Sequence, residues 1–459
     1  MRDLKCYLRF CGILRDPFFV SIRGLGNAEL TSGSSVFVLQ LTAPMDTDYA
    51  AYQKGVTVEA DGASPTGFTA TFVYDAPQGI SKAELYSDCF LLFDPEEEER
   101  LIDPSFSFPP EGFRPGLVSA GGSAGTTYYV EMENFSGNLW GARLPLPSGS
   151  YVYNFRVTYS DGRTLSRLDD PSNPSMRNDE TGTRSLSSIA YVPYSAEKMG
   201  TGPWADRSVE LPAPERSGKV DTVSYKGADG TMHGLAVYLP YGYDKRREVP
   251  YKVLYLSHGT SGDVYGNELR WMHEGAVRNI LDNLIASGKT EPFVVVTMNN
   301  QQYSKGEGHK GPDWDFSLLS EDFIKHVLPY TERHYNVSPS PGGRAFAGLS
   351  MGGATASNML MYHPELFSYY GIWSYANVDG SLGPEGIEDR ANQRKLEGRQ
   401  VKVMLAAGRW DFGLEAVREY GAYLREIGLE HKFLIVPAAH DWECWKLIFA
   451  EAAEKFFWK

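Results

Sequence analysis

Short apolar runs alternating with helix-compatible stretches dominate the second half of the chain. The runs are Val220 to Tyr225, Gly234 to Leu239, Lys252 to Leu256, Phe293 to Thr297, Arg344 to Gly348, Val401 to Ala407 and Lys432 to Val436. Each suits a strand and is too short for a buried helix, so residues 217–459 are predicted to be an α/β domain with a mostly parallel sheet. Between 56 and 175 the period shortens to alternating segments broken by Gly, Pro and Ser: Phe68 to Tyr74, Lys82 to Leu92, Thr127 to Met132 and Tyr151 to Tyr159. That spacing predicts an all-β sandwich. Residues 176–216 are rich in Ser, Pro, Asn and charge, without sustained periodicity, and read as a surface connection with Trp204 as an anchor. Residues 1–55 form an unassigned extension in which Ser35 to Leu41 looks like one strand.

The candidate chemistry sits at the ends of the predicted parallel strands. Arg344 to Gly348 runs into Leu349-Ser350-Met351-Gly352-Gly353, and Ala354 to Tyr362 then has the composition of a helix packed on a sheet. Strand, sharp turn and helix is the setting in which a serine is lifted clear of a sheet as a nucleophile, with Gly348 and Gly352 sparing the turn a collision. The helix start favours an oxyanion there, with the backbone N–H of Met351 as donor. A second donor is expected from Ser257-His258-Gly259-Thr260, namely the Thr260 N–H, with His258 as a loop-orienting residue. Asp411 follows the Val401 to Ala407 run; it is either the acid of a triad or the cap of a helix over Leu414 to Ile427. His440 lies in a loop beside aromatic residues after the last strand, where a base can be held in a dry pocket. The order Ser350, Asp411, His440 is that of an α/β-hydrolase triad.

Composition narrows the partners. A net charge of −14 over 459 residues argues against nucleic acid or an anionic membrane surface, and no apolar run approaches a membrane span. Cys6, Cys11, Cys89 and Cys444 show neither metal-ligand spacing nor a disulfide framework, and no metal or cofactor is expected. Arg9, Arg15, Asp16 and Arg23 interrupt the apolar residues of the N-terminus, so no signal peptide is visible there. Nine Trp and 28 Tyr supply rings that stack on sugars or aryl groups, or that simply fill cores.

Two resemblances sharpen this reading. Leu146 to Val157, with Asp169-Asp170-Pro171-Ser172-Asn173-Pro174, resembles the end of the family 48 carbohydrate-binding module, which implies an immunoglobulin-like sandwich in a structural role. Lys252 to Lys459 resembles the esterase D-type α/β-hydrolases of carbohydrate esterase family 1, especially microbial feruloyl esterases. The resemblance rests on Leu254 to Gly259, Trp271 with the helical Gly275 to Gly288, Ala347 to Gly353 and His440 to Trp445; Ala438-Ala439 stands where that family usually has Gly-Gly. It implies Ser350 as nucleophile, His440 as base and Asp411 as its orienting acid. It also implies feruloyl esters of arabinoxylan or small aryl esters as substrates and a secreted or periplasmic enzyme. Acetyl xylan esterase and siderophore (enterochelin-type) esterase are the alternatives within this chemistry, and an inactive carbohydrate-binding or scaffold protein is the alternative outside it. Trp271, Trp314, Trp373, Trp410 and Trp442, with Tyr303 and Tyr375, lie near the predicted strand ends and are candidates for an aryl-acyl slot. Because every candidate catalytic group lies beyond Ser217, a chain starting there is expected to keep activity on small esters.

Overall fold

The computed structural model describes residues 18–23, 27–32, 48–64, 66–92, 126–185, 187–261, 263–309, 314–374, 398–409 and 411–459. The proposed strand Ser35 to Leu41, Tyr375 and Trp410 lie outside the described residues. β1 (Phe18–Arg23) and β2 (Asn27–Ser32) pair as an antiparallel hairpin within the unassigned extension.

Nine strands then build two facing sheets: β3 (Gly55–Ala60), β4 (Phe68–Asp75), β5 (Ile80–Leu92), β6 (Thr126–Glu131), β7 (Glu133–Ser136), β8 (Leu139–Pro145), β9 (Gly149–Tyr159), β10 (Thr164–Leu168) and β11 (Ser188–Val192). One sheet has the order β3-β4-β8-β7; the other runs β10-β9-β5-β6, with β11 also paired to β9. Inward-facing Phe72, Leu85, Tyr153, Phe155 and Val157 close the core between them, as period-2 alternation requires. β11 corrects the reading of 176–216 as a plain surface connection. It pairs antiparallel with β9 from Ser188 opposite Tyr153 to Val192 opposite Gly149. A five-residue strand in a polar stretch owes its conformation to that partner, which local composition does not reveal.

The second domain is one eight-stranded sheet of β12 (Lys219–Lys226), β13 (Met232–Leu239), β14 (Val253–Ser257), β15 (Val294–Met298), β16 (Arg344–Leu349), β17 (Tyr369–Trp373), β18 (Lys402–Gly408) and β19 (His431–Val436). The order is β12-β13-β15-β14-β16-β17-β18-β19. Pairing is antiparallel across β12, β13 and β15 and parallel from β15 to β19. The seven runs read from the sequence all appear; β17, a Tyr-Tyr-Gly-Ile-Trp segment, is the strand that reading lacks. Helices cover both faces, as buried parallel strands demand. Val277–Ala286 and Trp442–Lys455 pack on one face, and Met351–Tyr362 and Leu414–Glu426 on the other.

The sandwich is packed onto the second domain. Val152 and Ile189 belong to the same buried apolar cluster as Trp442, Trp445 and Ile448. Asn178 and Thr183 donate to the buried Glu268, and Ser185 donates to the buried Glu274. At this junction Arg207, Glu210, Glu443 and Lys446 form an ionic cluster whose side chains are 11%, 1%, 4% and 0% exposed. Such groups are sequestered from water and must satisfy each other; removing one partner of a buried pair costs about 3–5 kcal/mol.

Candidate active site

Ser350 follows β16 at φ +52°, ψ −122° and opens the helix Met351–Tyr362. A non-glycine residue in that region is strained, and the surrounding hydrogen bonds hold it there. The Ser350 N–H donates to the Trp373 carbonyl at 2.8 Å, and the Ala354 N–H donates to the Ser350 carbonyl at 3.0 Å. Close backbone approach explains the glycines around it. A Cβ on Gly352 would lie 2.5 Å from the carbonyl oxygens of Ser257 and His258, and one on Gly259 would lie 2.8 Å from the Ser350 Cβ. The loop after β14 is therefore laid directly against Ser350. Thr260 and Met351, the candidate donors, each adjoin one side of that contact in sequence; Thr260 is exposed and Met351 is buried.

His258 does not act as a base in this arrangement. Its Nδ1 lies 2.5 Å from the Gly259 carbonyl and its Nε2 accepts from the Asn300 N–H at 2.9 Å. Complete burial, reinforced by the nearby Arg270 charge, pushes its pKa down to about 3. The ring is neutral and orients its own loop.

Asp411 and His440 emerge from the neighbouring strands β18 and β19. Their loops interlock at Gly408, where a Cβ would collide with the Ala438 carbonyl oxygen. Ala438 and Ala439 are buried against this turn, so small side chains serve where glycines were expected. His440 Nδ1 donates to Asp411 Oδ1 at 2.9 Å, and the Gly413 N–H donates to the same oxygen at 2.7 Å. Burial alone would raise the Asp411 pKa, but the His440 charge and hydrogen bonds from His440, Ser374 and Gly413 outweigh it, holding the carboxyl below its usual value. Asp411 is thus a buried carboxylate bonded to a histidine; the cap of the following helix is Gly413. With Nδ1 committed to Asp411, Nε2 is the nitrogen left to accept a proton.

The proposed aryl slot needs correction. Trp271 and Trp373 are fully buried and Trp442 nearly so, and their rings pack on one another at 5.3 to 6.0 Å between centroids. Trp271 Nε1 donates to the Ser257 carbonyl at 2.9 Å, so this ring braces the loop from within. Trp314 is buried edge-on against His258, and Tyr303 is buried beside His233. These rings are packing residues. The sequence reading missed Phe412, which is 53% exposed and lies 4.1 Å from the His440 ring between centroids. It also missed Ser374, whose hydroxyl accepts from Trp445 Nε1 at 3.0 Å and supports Asp411. Phe412 had one available signal, its place directly after Asp411. Among the described residues no group of His, Cys, Asp and Glu could hold a metal ion, and no helix is long and apolar enough to cross a membrane.

The known proteins that this chain resembles include esterases. The model of a family described as "Putative esterase" matches residues 230–456. An endo-1,4-beta-xylanase/feruloyl esterase of Xylanibacter ruminicola is 28% identical over 284 residues, 58% of this chain and 36% of that protein. Endo-1,4-beta-xylanase Y of Acetivibrio thermocellus is 28% identical over 214 residues, 43% of this chain and 18% of that protein. The chain thus spans about a third or less of the length of these relatives. Among solved structures, the enterobactin esterase FES from Shigella flexneri, determined in the presence of 2,3-di-hydroxy-N-benzoyl-glycine, superposes with a TM-score of 0.51 at 16% identity. That match covers 89% of this chain and 97% of the other, so the likeness in fold extends well beyond the hydrolase domain.

Proposed function

We propose that this chain, whose residues 230–456 match the model of an esterase family, is a carboxylic ester hydrolase of the feruloyl esterase type that releases hydroxycinnamoyl groups from plant cell-wall arabinoxylan through a Ser350-His440-Asp411 relay. The observation that carries the mechanism is the 2.9 Å Asp411–His440 pair, on the loops that follow β18 and β19, two and three strands along the parallel sheet from β16 and the strained Ser350 turn. His440 Nε2 takes the Ser350 proton as the hydroxyl oxygen attacks the ester carbonyl, and then returns it to the leaving alcohol. Asp411 stabilises the imidazolium formed in between. Water repeats the sequence on the acyl-enzyme. The Thr260 and Met351 N–H groups meet the oxyanion, each worth about 3 kcal/mol of barrier by comparison with other hydrolases.

The name of the Xylanibacter relative supports the substrate class, and action on wall polymers implies an enzyme working outside the cytoplasm. An esterase for aryl siderophores is the second reading, favoured by the two-domain extent of the fold likeness to the enterobactin esterase. Methyl ferulate, p-nitrophenyl acetate, acetylated xylan and the cyclic 2,3-dihydroxybenzoyl-serine ester separate these readings. The highest kcat/KM is expected on methyl ferulate; preference for the acetates or for the catechol ester refutes the feruloyl reading and leaves the serine mechanism in place.

Phe412 supplies the exposed apolar surface beside the base, and a flat aryl acid gains more from such a face than an acetyl group does. Phe412→Ala is expected to raise KM for methyl ferulate about tenfold while changing p-nitrophenyl acetate hydrolysis about twofold or less. Equal losses on both esters would show that the ring only packs His440.

A further inference from the structure

We infer that the sandwich domain holds the catalytic histidine in place through the buried ionic cluster, so that Ser150, Arg207, Glu210, Glu443 and Lys446 are positioning residues for the esterase reaction. The inference rests on His440 being the base. Ser150 lies in β9 of the sandwich, and its N–H and hydroxyl donate to Glu210 Oε2 at 3.0 and 2.9 Å. Arg207 grips Glu210 through Nε at 2.6 Å and Nη2 at 3.0 Å, and its Nη1 donates to Glu443. Lys446 completes the ring. Its ammonium reaches Glu210 Oε2 at 3.1 Å, Glu443 Oε1 at 2.9 Å and Ser150 Oγ at 3.1 Å, and it also donates to the Ser150 carbonyl. Two acids face two bases, so the cluster is neutral overall. Burial by itself would raise the Glu210 pKa, but the Arg207 and Lys446 charges hold it well below the usual carboxylate range.

Glu443 and Lys446 occupy the first turns of the helix Trp442–Lys455, which begins two residues after His440. On another face of the same turns, Trp445 meets the His440 ring edge-on at 5.1 Å and donates to Ser374, which supports Asp411. The helix start is therefore clamped between the sandwich and the relay. A displacement of about 1 Å at a reacting group can cost on the order of 100-fold in rate, so a clamp at this point acts on turnover. The expectation that a chain starting at Ser217 keeps activity accordingly gives way: such a chain lacks Ser150, Arg207 and Glu210 and would leave Glu443 and Lys446 without them.

The test uses the full chain. Lys446→Met, Lys446→Arg and Ser150→Ala are compared with Glu84→Gln, which breaks ion pairs to Arg156 and Lys82 that stay within the sandwich. Turnover of p-nitrophenyl acetate is normalised to folded protein. The expected result is a kcat about 10- to 100-fold lower in Lys446→Met with KM within about threefold, partly restored in Lys446→Arg, and unchanged kcat in Glu84→Gln despite a lower Tm. If Lys446→Met does not fold, Ser150→Ala decides, with a kcat about three- to tenfold lower expected. Unchanged kcat in the folded cluster variants, or an equal kcat loss in Glu84→Gln, overturns the inference. Ser350→Ala is assayed alongside: if it is inactive while Lys446→Met turns over normally, the clamp alone fails, whereas an active Ser350→Ala removes the catalytic reading and the clamp with it.

Discussion

Ser350→Ala is expected to lower kcat on methyl ferulate by a factor on the order of 10⁴ to 10⁶ while leaving the circular dichroism spectrum and Tm close to those of the unaltered protein. The rate loss follows from removing the atom that attacks the carbonyl in the proposed mechanism: what remains is binding and oxyanion stabilisation, and neither forms the acyl-enzyme. The fold is spared because the side chain is only half-buried and the turn is held by backbone hydrogen bonds to Trp373 and Ala354 that alanine keeps. Alanine also bears the φ of +52° at about the cost serine does. A fluorophosphonate should label the unaltered chain and not the variant. Retained turnover in purified, folded Ser350→Ala would end the assignment of Ser350 as nucleophile.

Asp411→Asn is expected to cost about 10⁴-fold in kcat with a small change in KM. In the proposed relay the carboxylate holds His440 with Nδ1 protonated and stabilises the imidazolium. An amide that turns its NH₂ toward the ring instead selects the tautomer protonated on Nε2, which cannot take the Ser350 proton. A second readout follows from linkage. The Asp411 pKa is lowered on folding, so its contribution to stability is fully present above the unfolded value near 3.9 and is lost as pH falls through the folded one. Asn does not titrate, so the variant should lose less stability than the unaltered protein over the acid limb below about pH 4. Full activity in Asp411→Asn, or an unchanged acid limb, would show that this carboxylate neither orients nor charges the pair.

Much of the catalytic half is legible in the amino-acid order because its signals are local. A buried parallel strand must be a short apolar run, and a serine at a strand-to-helix turn needs small neighbours; both constraints are written within ten residues of Ser350. Chain order does the rest, since the carboxyl ends of parallel strands all face one edge of the sheet and bring Ser350, Asp411 and His440 to that edge. β17 escapes such a reading because Tyr369–Trp373 is a strand by virtue of lying between β16 and β18, and β11 escapes it because Ser188–Val192 is one by virtue of β9. The tryptophans show the limit most clearly. Ring area near a strand end is the same in sequence whether the ring lines a slot or fills a core. The packing of the Trp442 helix on Trp271 and Trp373 decides for the core, while Phe412 is left in the open.

What the sequence by itself determined is the set of short-range choices: sandwich strands, hydrolase strands, the Ser350 turn and the order of the three catalytic candidates. What only the tertiary structure decided is which distant groups share one dry volume. Ser150 and Lys446 are separated by 296 residues, and no periodicity or motif links them. Their meeting follows from docking the sandwich on the helix after His440, where charges taken out of water must find each other, and that requirement acts on space and not on sequence distance.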